Sequence, residues 1–267
     1  MVVASVVHMT TTADRATTLL DLHRSPDLLT VVNVWDAITA STATEVEGTT
    51  ALATASHSIA ATLGYEDGEN IPVDEMIEMV GRVVAATHLP VSADLEAGYG
   101  NPGETIRKAI GVGVVGCNLE DQMKPLSEAV AAVEAVLAAA QAEGVPDFVL
   151  NARTDAFVKA GDRPRADVLA DAIERGSAFL AAGAPVVFVP GGLAEDEIVA
   201  IVDAWGPQKL TTIAAPGTVP LARQAELGVA RVSFGPFSQS VALMAYQDLV
   251  AGALRGKGLP EDFRMLN

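Results

Sequence analysis

The feature that most constrains this chain is an alternation repeated eight times. A short run rich in β-branched residues is followed each time by an Ala-, Glu- and Leu-rich run with helical spacing. The apolar runs are Leu28–Trp35, Ala51–Ser56, Pro90–Glu96, Val114–Asp121, Phe148–Thr154, Pro185–Gly191, Lys209–Ala215 and Arg231–Gly235. Among the intervening stretches, Ser127–Glu143 places Val130, Val133, Val136 and Leu137 on one helical face. Gly48, Gly113, Gly144, Gly183 and Gly228 stand where a helix would end before the next strand. Strands apolar nearly throughout, alternating with helices, imply a parallel sheet covered by helices on its outer face. Eight such units favour a closed (β/α)₈ barrel of the TIM type, with an open doubly wound sheet as the alternative. The reading is one domain over 1–267: a helical extension in 1–27, the strands in 28–235, and a C-terminal helix and tail in 236–267. The stretch Thr12–His23 is a helix that would cap the barrel or pack outside it.

Length and charge agree with this. A chain of 267 residues, half of them apolar, is close to the usual size of one such barrel. Its 34 acidic against 17 basic residues argue against nucleic acid or an anionic membrane surface as partner. The single cysteine, Cys117, excludes an internal disulfide and fits a reducing cytoplasm. The apolar start Met1–Thr10 lacks a basic region and a cleavage site, and no run is long enough for a membrane span.

The C-terminal ends of the strands, where a β/α barrel carries its chemistry, are polar. The first ends Asn33-Val-Trp35-Asp36, the second Ala55-Ser56-His57, and the third Asp94-Leu-Glu96. The fourth ends Asn118-Leu-Glu120-Asp121 and the fifth Asn151-Ala-Arg153-Thr-Asp155. Residues two apart on a strand share a face, so Asp94 with Glu96, Asn118 with Glu120, and Asn151 with Arg153 converge if that face is inward. Carboxylates brought together repel and take up protons unless a cation holds them. Hard oxygen ligands suit Mg²⁺, with Asp94, Glu96 and Glu120 as its ligands and Arg153 beside it to grip a substrate carboxylate. The alternative is that these acids pair with Arg and Lys on the rim. His57 is a catalytic or substrate-contacting candidate, with a packing role as the alternative. Asp67, in the turn Gly64–Gly68, can reach over the mouth, whereas Cys117 has the opposite parity from Glu120 and reads as core. The spelling Gly111-Val-Gly113-Val-Val-Gly116 is not a dinucleotide site, because it ends a helix and enters a strand. None of the five lysines falls inside the barrel, which argues against Schiff-base chemistry.

Together, Ser92-Ala-Asp-Leu-Glu-Ala-Gly-Tyr-Gly100, Asn118-Leu-Glu-Asp121, Asn151-Ala-Arg-Thr-Asp-Ala-Phe157 and Leu63-Gly-Tyr-Glu-Asp-Gly68 resemble the isocitrate lyase/phosphoenolpyruvate mutase superfamily. Asn33-Val-Trp-Asp36 is similar to that family's first-strand motif. The resemblance runs from about Leu28 to Gly235. It implies a β/α barrel with Mg²⁺ or Mn²⁺, acting on α-carboxy substrates through a metal-stabilised enolate. By it, Asp94, Glu96 and Glu120 hold the metal, largely through water, while Arg153 contacts the substrate and Asp67 lies near the reacting group. Trp35, Asp36, Ala55, Ser56, His57 and Asn118 would line the substrate pocket. It also implies a homo-oligomer, a tetramer or dimer in which the last helix, about Phe237–Leu254, is exchanged between subunits.

Two departures bear on the reaction. The segment Asp121-Gln-Met-Lys-Pro-Leu-Ser127 lacks both the Lys-Lys/Arg-Cys-Gly-His loop of the isocitrate lyases and the asparagine-bearing loop of the mutases. The sixth strand reads Val187-Phe-Val-Pro190 where a histidine is frequent. Three readings follow. One is a Mg²⁺-dependent lyase that cleaves or decarboxylates a small 2-oxo- or 2-hydroxy-carboxylate. The second is a mutase or hydrolase acting on a P–C bond of phosphoenolpyruvate or phosphonopyruvate. The third is a barrel that binds a small carboxylate without turnover.

Overall fold

The computed structural model describes residues 11–266. Its strands are β1 (Leu29–Val31), β2 (Asn33–Val34), β3 (Leu52–Thr54), β4 (Val91–Asp94), β5 (Gly116–Glu120), β6 (Val149–Arg153), β7 (Val186–Phe188), β8 (Leu210–Ile213) and β9 (Arg231–Ser233). They form one parallel sheet in the order β1-β9-β8-β7-β6-β5-β4-β3-β2. The two ends of that order are the two halves of one interrupted strand. Its lower half, β1, pairs with β9, and its upper half, β2, pairs with β3, so the ring is nearly closed. Asn33 sews the seam: its Oδ1 accepts from the N–H groups of Phe234 and Gly235, and its Nδ2 donates to Thr54 O, each at 2.8 Å. The continuous run expected at Leu28–Trp35 is thus broken at Val32, because each half follows a different neighbour around the barrel.

The helices are α1 (Thr12–Arg24), α2 (Ala37–Thr44), α3 (Ser56–Leu63), α4 (Val73–Ala85), α5 (Pro102–Gly111), α6 (Leu126–Ala142), α7 (Arg165–Ala181), α8 (Glu195–Trp205), α9 (Leu221–Glu226) and α10 (Phe237–Leu254). In α4, Met76, Ile77, Val80, Val83 and Val84 recur at helical spacing and all are buried. Each contributes about 1.5–3 kcal/mol of transfer free energy, so this face holds the helix on the sheet despite a lone proline cap. The five glycines expected after helices all have left-handed backbone.

The expected first helix, α1, begins with a complete capping box of Thr11 and Asp14. It lies against the N-terminal end of the barrel. A Cβ on Gly116 would stand 2.9 Å from Leu19 of α1 and 2.8 Å from Val149 O, so only glycine lets β5 start there. Leu19 and Leu20 are buried. The opposite end of the chain behaves differently. Along α10, Val241, Leu243, Met244 and Tyr246 are exposed. Among the described residues no helix is long and apolar enough to cross a membrane.

Candidate active site

The register of β4, β5 and β6 builds the site in levels. Asp94 pairs with Asn118 and Asn118 with Asn151, while two residues higher Glu120 pairs with Arg153. All five side chains share one face. The lower level is closed by a hydrogen-bond chain: Thr211 Oγ1 donates to Asn151 Oδ1 at 2.7 Å, and Asn151 Nδ2 donates to Asn118 Oδ1 at 2.8 Å. Cys117 and Leu119, of the opposite parity, are buried outside this ring, and burial pushes the Cys117 thiol well up.

Asp94 reaches sideways to the start of α3. Its Oδ2 accepts from Ser56 N–H at 3.1 Å and Ser56 Oγ at 3.0 Å. A strand-end carboxylate therefore caps a helix whose own cap position, Ala55, has no side-chain acceptor. Asp94 N–H donates to Thr54 Oγ1 at 2.9 Å, which fixes the aspartate's backbone. Ser56 Oγ lies 3.3 Å from Asp67 Oδ1, so the Asp67 turn belongs to the same cluster.

Glu96 sits just past β4 with φ of 53°, and Tyr99 and Glu69 have φ of 53° and 62°. Left-handed backbone at a side-chain-bearing residue costs about 1–2 kcal/mol, and here three such residues interlock. Glu69 N–H donates to Glu96 Oε2 at 2.5 Å, Tyr99 N–H to Glu69 Oε1 at 2.6 Å, and Tyr99 OH to Glu96 Oε1 at 3.4 Å. On the other side, Arg153 is clamped by two acids. Its Nη1 lies 3.0 Å from Glu120 Oε2 and its Nε donates to Asp155 Oδ1 at 2.8 Å. Its Nη2 makes no hydrogen bond to another side chain or to the backbone among the described residues.

The acids crowd one another. Glu96 is raised to about 7, by burial first and then by Asp67 and Asp94. Glu120 is also raised to about 7 by burial, with Arg153 opposing and Asp155 and Asp94 adding to it. Burial works against the charge on Arg153, but Glu120, Asp155 and Asp94 outweigh it and hold the group above its usual value. Burial, Glu96, Asp94 and Glu69 push the Tyr99 hydroxyl well up. Such a set of hard oxygen donors with excess negative charge fits a divalent cation. No three Asp, Glu, His or Cys side chains among the described residues are placed to ligate one ion together. A cation here would take one or two carboxylates directly and the rest through water, which is the habit of Mg²⁺.

The other expected site residues divide. Ser56 and Asp67 join the cluster, Asn118 lies beneath it, and Ala55 is buried at the α3 entrance. Asp36 caps α2 by accepting from Thr39 N–H at 2.8 Å, and Trp35 borders a lateral groove with Ile38 and Val46. His57 stands apart. The strand expected to run to Ser56 stops at Thr54, because the backbone turns into α3 to meet Asp94. His57 is thus exposed on the first helical turn, with no hydrogen bond to the acids. The residues unforeseen from sequence are Glu69 and Tyr99, whose part depends on left-handed backbone that no local pattern announces. The short segment after β5 is a tied turn. Asp121 Oδ1 accepts from Met123 N–H at 2.9 Å and Asp155 N–H at 3.0 Å, and its Oδ2 lies 3.1 Å from Arg175 Nη1.

Residues 19–254 match the family model described as phosphoenolpyruvate phosphomutase. The chain is 30% identical over 245 residues, 90% of either chain, to an uncharacterized protein of Mycobacterium tuberculosis. It is 30% identical to an oxaloacetate decarboxylase of Paraburkholderia xenovorans over 83% of this chain and 76% of that one. A 2-methylisocitrate lyase of Escherichia coli is 30% identical over 74% and 70%. Among solved structures, a Burkholderia cenocepacia protein described as a candidate phosphonomutase superposes with TM-score 0.83 at 40% identity, covering 89% of this chain and 99% of that one. Oxaloacetate acetylhydrolase in complex with its product oxalate superposes with TM-score 0.82 at 25% identity, covering 96% and 92%.

Proposed function

This chain belongs to the phosphoenolpyruvate mutase/isocitrate lyase superfamily, and we propose that it is a carbon–carbon lyase for a small 2-oxo- or 2-hydroxy-carboxylate, using Mg²⁺ or Mn²⁺. The observation that carries the reading is the set of carboxylates Asp94, Glu96 and Glu120 beside a clamped Arg153. Asp94, Glu96 and Glu120 would hold the cation, largely through water. When bound, it would polarise the substrate's 2-oxygen and stabilise the enolate left as the bond breaks. Asp155 and Glu120 fix the guanidinium of Arg153, so its remaining N–H groups meet a substrate carboxylate without reorganising. Ser56 holds Asp94 in place, and Asp67 stands at the edge of the cluster nearest the exposed turn. His57, exposed on α3, is the weakest member of the expected catalytic set.

The test is incubation with oxaloacetate, 2-methylisocitrate and 2,3-dimethylmalate in the presence of Mg²⁺, with released 2-oxo acid and carbon dioxide measured. Turnover that disappears in Asp94→Ala and on chelation is expected. Survival of the whole panel overturns the reading. The likeness to a candidate phosphonomutase favours a second reading, action on a P–C bond. Phosphorus NMR of a phosphonopyruvate incubation decides it, by the presence or absence of phosphoenolpyruvate or inorganic phosphate.

We propose further that copies of the chain assemble through α10. The exposed apolar side chains around α10 and a lateral groove of about 550 Å³ beside β2 and α2, lined by Val34, Trp35, Ile38 and Val46, support exchange of α10 between copies. Light scattering should give a dimer or tetramer that dissociates in Met244→Glu/Tyr246→Glu. A monomeric native chain rules the exchange out.

A further inference from the structure

Arg231, the first residue of β9, has the largest fully buried side chain among the described residues, at 1% exposure. It is in register with Leu29 of β1 and Thr211 of β8. Its Nη1 nevertheless reaches Ser92 Oγ on β4 at 3.3 Å, so the side chain crosses the barrel interior. Ser92 is two residues below Asp94 on the same inward face. Arg231 therefore places a cation in the floor of the acidic site.

That cation is not spent in an ion pair. Among the described residues no carboxylate lies within ion-pair distance of Arg231, and its Nε and Nη2 have no hydrogen-bond partner. Below it, buried His23 holds its Nδ1 2.8 Å from Leu19 O. Burial and the Arg231 charge bring His23 down to about 3, so it is neutral and supplies no counter-charge. Burial brings Arg231 itself down to about 10, with Asp94 acting in the opposite sense, so it is charged at neutral pH. A guanidinium buried without an ion-pair partner is destabilising, and packing alone does not account for it. A branched apolar residue would fill the same layer, as in most barrels of this kind.

Building on the metal reading above, we infer that Arg231 is an electrostatic positioning residue: a fixed cation beneath the acids that strengthens binding of an anionic substrate while restraining binding of the divalent cation. A site of carboxylates alone would take the dication and repel a dicarboxylate. With Arg231 in the floor, cation and anionic substrate are held best together.

The predicted signature is a pair of opposite changes. Mn²⁺ binding is measured by electron paramagnetic resonance, and oxalate binding at saturating Mn²⁺ by calorimetry, for the native chain and for Arg231→Gln, Arg231→Met and Arg231→Lys. In the Gln and Met variants the Mn²⁺ dissociation constant should fall about threefold or more and that of oxalate should rise about as much. Lys should restore both to within about twofold. If Met does not fold, Gln and Lys still decide the matter. Weakening of both ligands in the neutral variants marks a purely structural role and overturns the inference, as does no change in either. A native chain that takes up no Mn²⁺ sinks the metal reading itself, and the inference with it.

Discussion

Raising the pH of the metal-free protein from 5.5 to 8 perturbs Glu96 and Glu120 together. Both are raised from 4.5 to about 7 in the folded chain, chiefly by burial. A carboxyl whose folded pKa lies above its unfolded value favours folding while protonated, and that contribution drains away as pH rises through the window between the two. At about 1.4 kcal/mol per pKa unit, integration over this range gives a loss of about 2 kcal/mol for each group. The two act on one cluster, so roughly 3–4 kcal/mol together is the expected scale, or about 10 °C in Tm for a chain of this size. Differential scanning calorimetry in EDTA should show Tm falling across this range. Millimolar Mg²⁺ should cancel most of the fall, because a cation replaces the protons. Glu96→Gln/Glu120→Gln should flatten the metal-free slope and abolish the Mg²⁺ response. A metal-free Tm that is level or rises from pH 5.5 to 8 would show that Glu96 and Glu120 are not held protonated by burial, and so would a double variant that keeps the native slope.

Other outcomes follow from single contacts. His57→Ala should change kcat and KM less than about twofold, since an exposed side chain away from the acids has little to lose; a large fall in steady-state activity would return His57 to the site. Gly116→Ala should destabilise the fold by about 1–3 kcal/mol in urea titration, because a Cβ there meets the Val149 backbone at 2.8 Å. Ser56→Ala removes one of the two hydrogen bonds to Asp94 Oδ2 and should weaken Mn²⁺ binding measured by calorimetry, whereas Ser56→Thr, keeping the hydroxyl, should weaken it less.

The barrel was legible because its signals are local and repeated. Strand parity placed Asp94, Asn118, Glu120, Asn151 and Arg153 on one face, and the register of β4, β5 and β6 brings them side by side. The break at Val32 was not legible, since a run of apolar residues does not say which neighbour each half will pair with. His57 lies on a helix and not at a strand end for a related reason. In sequence it continues the run Ala51–Ser56, but Asp94, 38 residues away from Ser56, captures the backbone at Ser56 and starts a helix there.

The residue order by itself determined the number of β/α units, their handing over at glycines, and which end of the sheet is polar. These depend on periodicities of two and 3.6 and on backbone preferences that neighbours along the chain express. The balance of the charges depends on the closed ring. Arg153 is shared between Glu120 and Asp155, Glu96 is locked by Glu69 and Tyr99 in left-handed backbone, and Arg231 crosses the barrel to lie under Asp94. Such long-range electrostatic partners are chosen by closure of the ring, which brings β9 opposite β4, and no local pattern encodes that distance.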